Sequence, residues 1–120
     1  MEIGKISMAQ AIDISFNQLT GAIPLALGSC NELQLLNLSH NSFQGSIPES
    51  LGNLQSLASL DLSLNNLSGI IPVVTLKNLK MLQSLNLSFN NFTGEIPEGG
   101  FFANRTVVMS LIGNPGLCGP

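Results

Sequence analysis

One pattern recurs four times along this chain of 120 residues, mostly at a spacing of 24 positions. The segment IDISFNQLTGAIP at 12–24 matches LNLSHNSFQGSIP at 36–48 and LDLSLNNLSGIIP at 60–72. The fourth copy, LNLSFNNFTGEIP at 85–97, comes one position late because the third loop is one residue longer. A fixed period of this length indicates a solenoid, in which every repeat forms one rung that packs on its neighbours.

Apolar residues at the first and third positions of each copy alternate with Asp or Asn, which is the period of a strand with one buried face. These pairs are Ile12/Ile14, Leu36/Leu38, Leu60/Leu62 and Leu85/Leu87. Stacked rungs then form a parallel sheet on the concave side of the coil. The pairs Leu27–Gly28 and Leu51–Gly52 come after the proline, and there we predict short 3₁₀ or irregular turns on the convex side.

A recurring asparagine follows each predicted strand, where we expect the chain to turn without a second strand to pair with. Its amide is able to donate to and accept from backbone groups that the turn leaves unpaired, so stacked copies form a ladder. The glycine four positions later permits a positive φ. The predicted ladder consists of Asn17, Asn41, Asn65, Asn90 and Asn114.

The full period, L-x-x-L-x-L-x-x-N-x-L-x-G-x-I-P-x-x-L, resembles the plant-specific class of leucine-rich repeat. This resemblance implies a right-handed solenoid. The terminal run GGFFANRTVVMSLIGNPGLCG at 99–119 resembles the membrane-proximal end of the ectodomain in plant leucine-rich-repeat receptor-like kinases. In that family a second cysteine follows the first and closes a disulfide loop, ahead of a membrane span and a kinase domain.

Residues 1–11 align with the second half of a repeat, and we interpret them as the tail of a truncated upstream repeat. Four plant-type repeats occupy 12–104 as a single domain. Residues 105–120 form a degenerate fifth rung and an incomplete C-terminal cap. Cys30 aligns with Leu54 and is predicted to be buried, too far from Cys118 for a disulfide. The resemblance therefore leaves Cys118 as an unpaired cap cysteine.

Outward strand positions define three concave columns. The first holds Asp13, Asn37, Asp61 and Asn86, and the second holds Ser15, Ser39, Ser63 and Ser88. We expect both to do no more than solvate the sheet. The third column varies between rungs and is the candidate for contact with a partner: Phe16, His40, Leu64 and Phe89. The two phenylalanines alternatively pack sideways on neighbouring rungs.

Asparagine sequons occur at Asn37, Asn66, Asn86, Asn91 and Asn104. The repeat consensus LNLS creates two of them on the concave sheet. The better N-glycosylation acceptors in a secreted protein are Asn66, Asn91 and Asn104, which we expect in or beside turns.

Charged residues make up only 9% of the chain and its net charge is −3. Four Lys and Arg provide no basic patch for nucleic acid. The sequence shows no signal peptide, no membrane span and no His/Cys cluster at metal-ligand spacing. We predict no cofactor and no enzyme activity, because a flat solvated sheet supplies no oxyanion hole even if His40 meets Asp61 and a serine.

The resemblance implies a recognition module that binds a peptide, a microbial product or a co-receptor ectodomain, in signalling or defence. By the same resemblance it lies on the extracellular side of the plasma membrane. A truncated fragment without independent activity is one alternative. A secreted leucine-rich-repeat inhibitor of a cell-wall-degrading enzyme is another.

Overall fold

Two parallel sheets run along the molecule in the computed structural model, which describes residues 9–97 and 107–119. The first sheet contains, in spatial order, β1 (Ala11–Asp13), β3 (Leu35–Asn37), β5 (Ser59–Asp61), β7 (Ser84–Asn86) and β9 (Val108–Ser110). The second contains β2 (Thr20–Ala22), β4 (Ser42–Gly45), β6 (Asn66–Ile70), β8 (Asn91–Glu95) and β10 (Gly116–Cys118). The chain thus alternates between the sheets, and each passage through both makes one rung.

The first sheet is the concave sheet that the repeat predicts. Equivalent residues of successive rungs lie side by side, so Ile12 pairs with Leu36, and Leu85 pairs with Met109 in the fifth rung. The central residue of each of the first four strands is buried and its neighbours are more exposed, as strand alternation requires. The parallel sheet and the solenoid fold are confirmed.

The second sheet was not predicted, and the expectation that the chain turns at the asparagine without another strand to pair with is wrong. Strand β4 begins directly after Asn41, and its alternation of exposed Ser42, buried Phe43 and exposed Gln44 is itself a strand pattern. The glycine after it takes a positive φ, as expected, which is 82° at Gly45. Because Thr20 pairs with Ser42, only 22 positions away, the strands of this sheet are staggered relative to the repeat.

The convex side carries short helices that begin after the prolines. Leu25–Ser29 and Glu49–Asn53 are 3₁₀ helices, which confirms the predicted turns. In the third rung the segment is instead a short α-helix, Val73–Lys77. This rung is the one with the extra residue, so its loop has the length for an α-helical turn.

The core lies between the two sheets and the convex helices, and it consists almost entirely of leucine and isoleucine. Cys30 is fully buried in it, as predicted, and burial raises the pKa of its thiol. Phe92 is the largest of the fully buried side chains. Every rung therefore depends on its neighbours for burial of its apolar side chains.

Candidate functional site

Asparagine side chains connect each rung to the one before it. In four of them Nδ2 donates to a backbone carbonyl of the preceding rung at 2.9–3.0 Å. The Oδ1 atoms of the same residues accept a backbone N–H of the preceding rung at 2.9–3.1 Å. These four are Asn41, Asn65, Asn90 and Asn114. They satisfy the backbone groups that the crossing between the two sheets leaves unpaired.

A second polar motif lies at the end of each strand of the first sheet. The side-chain oxygen of the Asp or Asn there accepts the backbone N–H two residues later at 3.0–3.1 Å. In three rungs the serine hydroxyl also donates to that oxygen at 2.6 Å, from Ser15, Ser63 and Ser88. At Asp13 the hydroxyl and then the N–H of Ser15 lower the pKa of the carboxyl group.

The prediction that the serine column solvates the sheet is wrong. Ser39 and Ser63 are each 3% exposed, and Ser88 is 4% exposed. Their N–H groups are held by the preceding Asp or Asn, so these serines belong to the crossing between the sheets and not to the open concave surface. The repeated tetrapeptide L-[ND]-L-S was the signal in the sequence that would have identified this motif.

The third column, which we call the contact column, consists of Phe16, His40, Leu64 and Phe89. All four have a positive φ, between 55° and 58°. Bulky residues rarely adopt this left-handed conformation, because Cβ approaches the following carbonyl oxygen. The equivalent position of the fifth rung is Gly113, with a φ of 75°. The crossing between the sheets imposes the conformation, and only the fifth rung uses the residue that adopts it without strain.

The contact column forms a partly exposed row of rings and one leucine. Phe16 is 74% exposed and stacks on His40 with ring centroids 3.8 Å apart and 17° between the planes. Phe89 is 50% exposed, and its ring lies so close to Gly113 that a Cβ there would overlap it. Each phenylalanine therefore packs on the next rung and still leaves much of its surface exposed.

The structure does not assemble a catalytic triad around His40. The His40 ring lies on Phe16, and Oδ1 of Asp61 accepts the hydroxyl of Ser63. Within residues 9–97 and 107–119 there is no group of three or more His, Cys, Asp or Glu side chains placed to hold a metal ion. The chemistry that this surface offers is stacking, apolar contact and hydrogen bonding.

Two of the three candidate glycosylation sites lie within the described residues. Asn66 and Asn91 are the first residues of β6 and β8, and both are exposed. They lie on strands of the second sheet, so their expected place in or beside turns is corrected. Asn104 lies outside the described residues.

The two cysteines lie in different environments and are not paired with each other. Cys118 is exposed at the end of β10, where its thiol lies 3.5 Å from the carbonyl oxygen of Gly94. Among the residues described, we find no helix with the length and apolar character needed to cross a bilayer.

Comparison with known proteins identifies the repeat. A family model described as leucine rich repeat matches residues 9–67 and 31–92. No curated protein matches the chain. The ectodomain of the receptor kinase SOBIR1 from Arabidopsis thaliana is 38% identical, with a TM-score of 0.78, and the match covers 88% of this chain and 57% of that one.

Two further solved structures are similar. The plant peptide hormone receptor RGFR1, in complex with RGF2, is 35% identical with a TM-score of 0.81, over 91% of this chain and 17% of that chain. A plant ice-binding protein is also 35% identical, with a TM-score of 0.85, over 93% of this chain and 36% of its own. The chain thus spans little more than half the length of the SOBIR1 ectodomain and less of the others. It belongs to the leucine-rich repeat family and is similar to the ectodomains of plant receptor kinases.

Proposed function

We propose that this chain is a recognition module without catalytic activity, which binds a peptide or a partner ectodomain on its concave face. The similarity to ectodomains of plant receptor kinases supports this role and an extracellular location. One of those receptors was solved with a peptide hormone, which supports a peptide as the ligand. These similarities also favour recognition over the inhibitor of a cell-wall-degrading enzyme.

The observation that carries the proposal is the left-handed backbone of the contact column. A non-glycine residue in this conformation costs about 1–2 kcal/mol. Glycine at Gly113 makes the same crossing without that cost. Four successive rungs nevertheless hold two phenylalanines, a histidine and a leucine there, with their side chains on the concave surface. Strain of this kind typically accompanies a functional surface.

The chemistry of the column indicates what it binds. Its rings offer flat apolar faces, which suit aromatic, aliphatic or guanidinium groups. Asp13 and Asp61 lie in the adjacent column and favour a partner with a basic side chain. Four rungs at about 4.8 Å span the length of a short extended peptide. We therefore expect an extended ligand with alternating apolar and basic residues.

The proposal is tested by binding to immobilised plant peptide hormones and co-receptor ectodomains, measured by surface plasmon resonance. Phe89→Ala and His40→Ala are expected to weaken binding about tenfold each, as central interface residues do. Met81→Ala is the matched control, because Met81 is 57% exposed and lies outside the contact column. Equal loss in all three variants would indicate general damage and count against the column.

Glycosylation is proposed separately, at Asn66, Asn91 and Asn104. The first two lie on the second sheet, so glycans there leave the contact column open. Glycopeptide mapping of material secreted from plant cells is expected to find at least Asn66 and Asn91 occupied. Unmodified asparagine at all three positions would refute this assignment.

Ice binding is a second candidate, and the composition of the second sheet favours it. Exposed neutral side chains form rows across its strands: Thr20, Ser42, Gln44, Asn66, Asn91 and Thr93. Glu95 is the only charged residue in the described strands of this sheet. Parallel strands space such groups by about 4.8 Å, which presents hydroxyls and amides to water as a regular array. The similarity to a plant ice-binding protein supports this candidate.

An ice recrystallisation assay separates the two candidates. For ice binding, Thr93→Lys is expected to abolish inhibition of crystal growth, because a bulky charge interrupts the neutral array. Leu64→Lys, on the concave side, is the control and is expected to leave inhibition intact. Crystal growth unaffected by the parent protein would eliminate this candidate without bearing on peptide recognition.

A further inference from the structure

The N-terminal face of the stack is the surface formed by β1, β2 and the residues between them. Both strands are the first in their sheets among the described residues, so each directs one edge away from the stack. Strand edges of this kind are templates for pairing with another strand. The face thus continues the surfaces by which every rung packs on the next.

Apolar side chains on this face are less buried than their equivalents inside the stack. Leu19 is 39% exposed, whereas the equivalent residues of the next rungs, Phe43 and Leu67, are 4% and 0% exposed. Ile14 is half-buried, whereas its equivalent Leu38 is fully buried. The difference shows how much apolar surface one additional rung would cover.

A cavity of about 200 Å³ lies at this face. Its walls are almost entirely apolar and include Ile14, Leu19, Ala22, Pro24 and Leu27. In the interior of the stack the corresponding space is filled by leucine, isoleucine and phenylalanine side chains of the adjoining rung. The cavity therefore has the chemistry of a site for aliphatic side chains.

Asn17 lacks the bonds that the other ladder asparagines make to a preceding rung. Its Nδ2 donates to the oxygens of Ile14 and Ser15, both in its own rung. Among residues 9–97 and 107–119, no group donates a hydrogen bond to its Oδ1. In Asn41, by contrast, Nδ2 also reaches the Ile14 oxygen and Oδ1 accepts the N–H of Leu19, both in the preceding rung.

We propose that the N-terminal face is a docking surface for one more rung of the same repeat, which Asn17 would bind through a carbonyl oxygen and an N–H group. Two open strand edges, an aliphatic cavity and one asparagine amide match the contacts between rungs within the stack. An apolar peptide of another kind would fill the cavity but would leave the strand edges and Asn17 unpaired.

The occupant is a leucine-rich half-rung joined in front of residue 1. In the repeat register Ile3, Gly4 and Ile6 align with Leu27, Gly28 and Cys30, so residues 1–11 already match the second half of a rung. The segment 36–48, LNLSHNSFQGSIP, supplies the first half without a gap, because Met1 then follows its proline as Glu49 follows Pro48. The ectodomains similar to this chain are also longer than it is.

The test joins segment 36–48 to the N-terminus of the full chain and measures urea unfolding. We expect the added rung to raise both the midpoint and the m-value, because more surface becomes buried. A matched control carries the same residues in scrambled order and is expected to leave both unchanged. An ordered segment that stabilises no better than the scrambled one would overturn the proposal.

Asn17→Ala provides the second measurement. In the extended chain it is expected to lower the unfolding equilibrium stability about tenfold or more, as loss of a buried hydrogen-bonding group does. In the original chain the same substitution should change it less than about twofold. Equal effects in both chains would overturn the role of Asn17. Concentration-dependent association of the original chain, abolished by Asn17→Ala, would assign the face to a second copy and reject the half-rung.

Discussion

Two neighbouring positions of each rung behave in opposite ways, although one crossing between the sheets contains both. At the second position all five rungs have asparagine, and from the second rung onward its amide bonds to the preceding rung. At the first position the residue is Phe, His, Leu, Phe or Gly, and its φ is positive every time. His40 and Asn41 are one such pair.

The difference follows from what each position must do. The asparagine satisfies backbone donors and acceptors at fixed distances, and no other side chain of that length both donates and accepts in this way. The residue before it needs only to adopt a left-handed backbone, while its side chain remains partly exposed. The crossing thus fixes residue type at the asparagine and leaves the preceding position open to variation at a cost in strain.

The largest effect is expected from Asn65→Ala. This change removes the partners of the Leu38, Leu62 and Ser63 carbonyl oxygens and of the Phe43 N–H. Because these groups lie inside the stack, we expect a loss of about 2–3 kcal/mol in the free energy of unfolding. Urea unfolding measures it.

Asn17→Ala is the matched control, since its amide bonds only within its own rung. Its expected cost is within about 0.5 kcal/mol, as for an ordinary surface substitution. Similar losses in the two variants would show that the bonds between rungs contribute no more than the local ones.

Much of this architecture could be predicted from the period alone, because a repeat places equivalent residues side by side. The concave sheet, the convex 3₁₀ helices and buried Cys30 follow from alternation and alignment. The second sheet could not be predicted in the same way, since Gly45 and Pro48 lie close to a strand of only four residues and together resemble a turn. The left-handed backbone at Phe16 left no sign in the sequence either, because phenylalanine does not favour it.

Gly113→Ala tests the other half of the comparison, the contact column. The added methyl group is strained by the positive φ and also overlaps the ring of Phe89. We expect a loss of about 1–2 kcal/mol from the backbone, with a further loss from displacement of the ring. Gly45→Ala is the control, because its φ is similarly positive and its Cβ would meet nothing within 4 Å.

A double-mutant cycle isolates the contact between Phe89 and Gly113. With Phe89→Ala in the background, the excess cost of Gly113→Ala over Gly45→Ala should disappear. An excess that persists would mean that the ring does not rest on the fifth rung in solution.

Leu64→Asn is expected to reveal the strain in the column directly. Asparagine adopts the left-handed region more readily than leucine or alanine. We therefore expect Leu64→Asn to be more stable than Leu64→Ala by about 0.5–1 kcal/mol, measured by thermal unfolding. Equal stabilities would show that the backbone at this position carries no strain that a side chain is able to relieve.

The smallest effect concerns the pH dependence of stability at Asp13. Its pKa is lowered in the folded state by the Ser15 hydroxyl first and by the Ser15 N–H second. A lowered pKa means that the folded state favours the charged carboxylate, so the stabilising contribution is complete above the unfolded pKa of about 3.9 and is lost as pH falls through the folded pKa. Ser15→Ala removes the larger cause and should move the Asp13 pKa back towards its ordinary value in an NMR titration.

Asp13→Asn is the companion variant, because Asn86 already occupies the equivalent position and accepts the same two bonds from Ser88. The crossing should therefore remain intact at neutral pH, while stability below about pH 4 becomes less dependent on pH. An unchanged acid limb in Asp13→Asn would place the titration elsewhere. A collapse of the neutral-pH structure would show that the carboxylate is required and that the amide of Asn86 is not its equivalent.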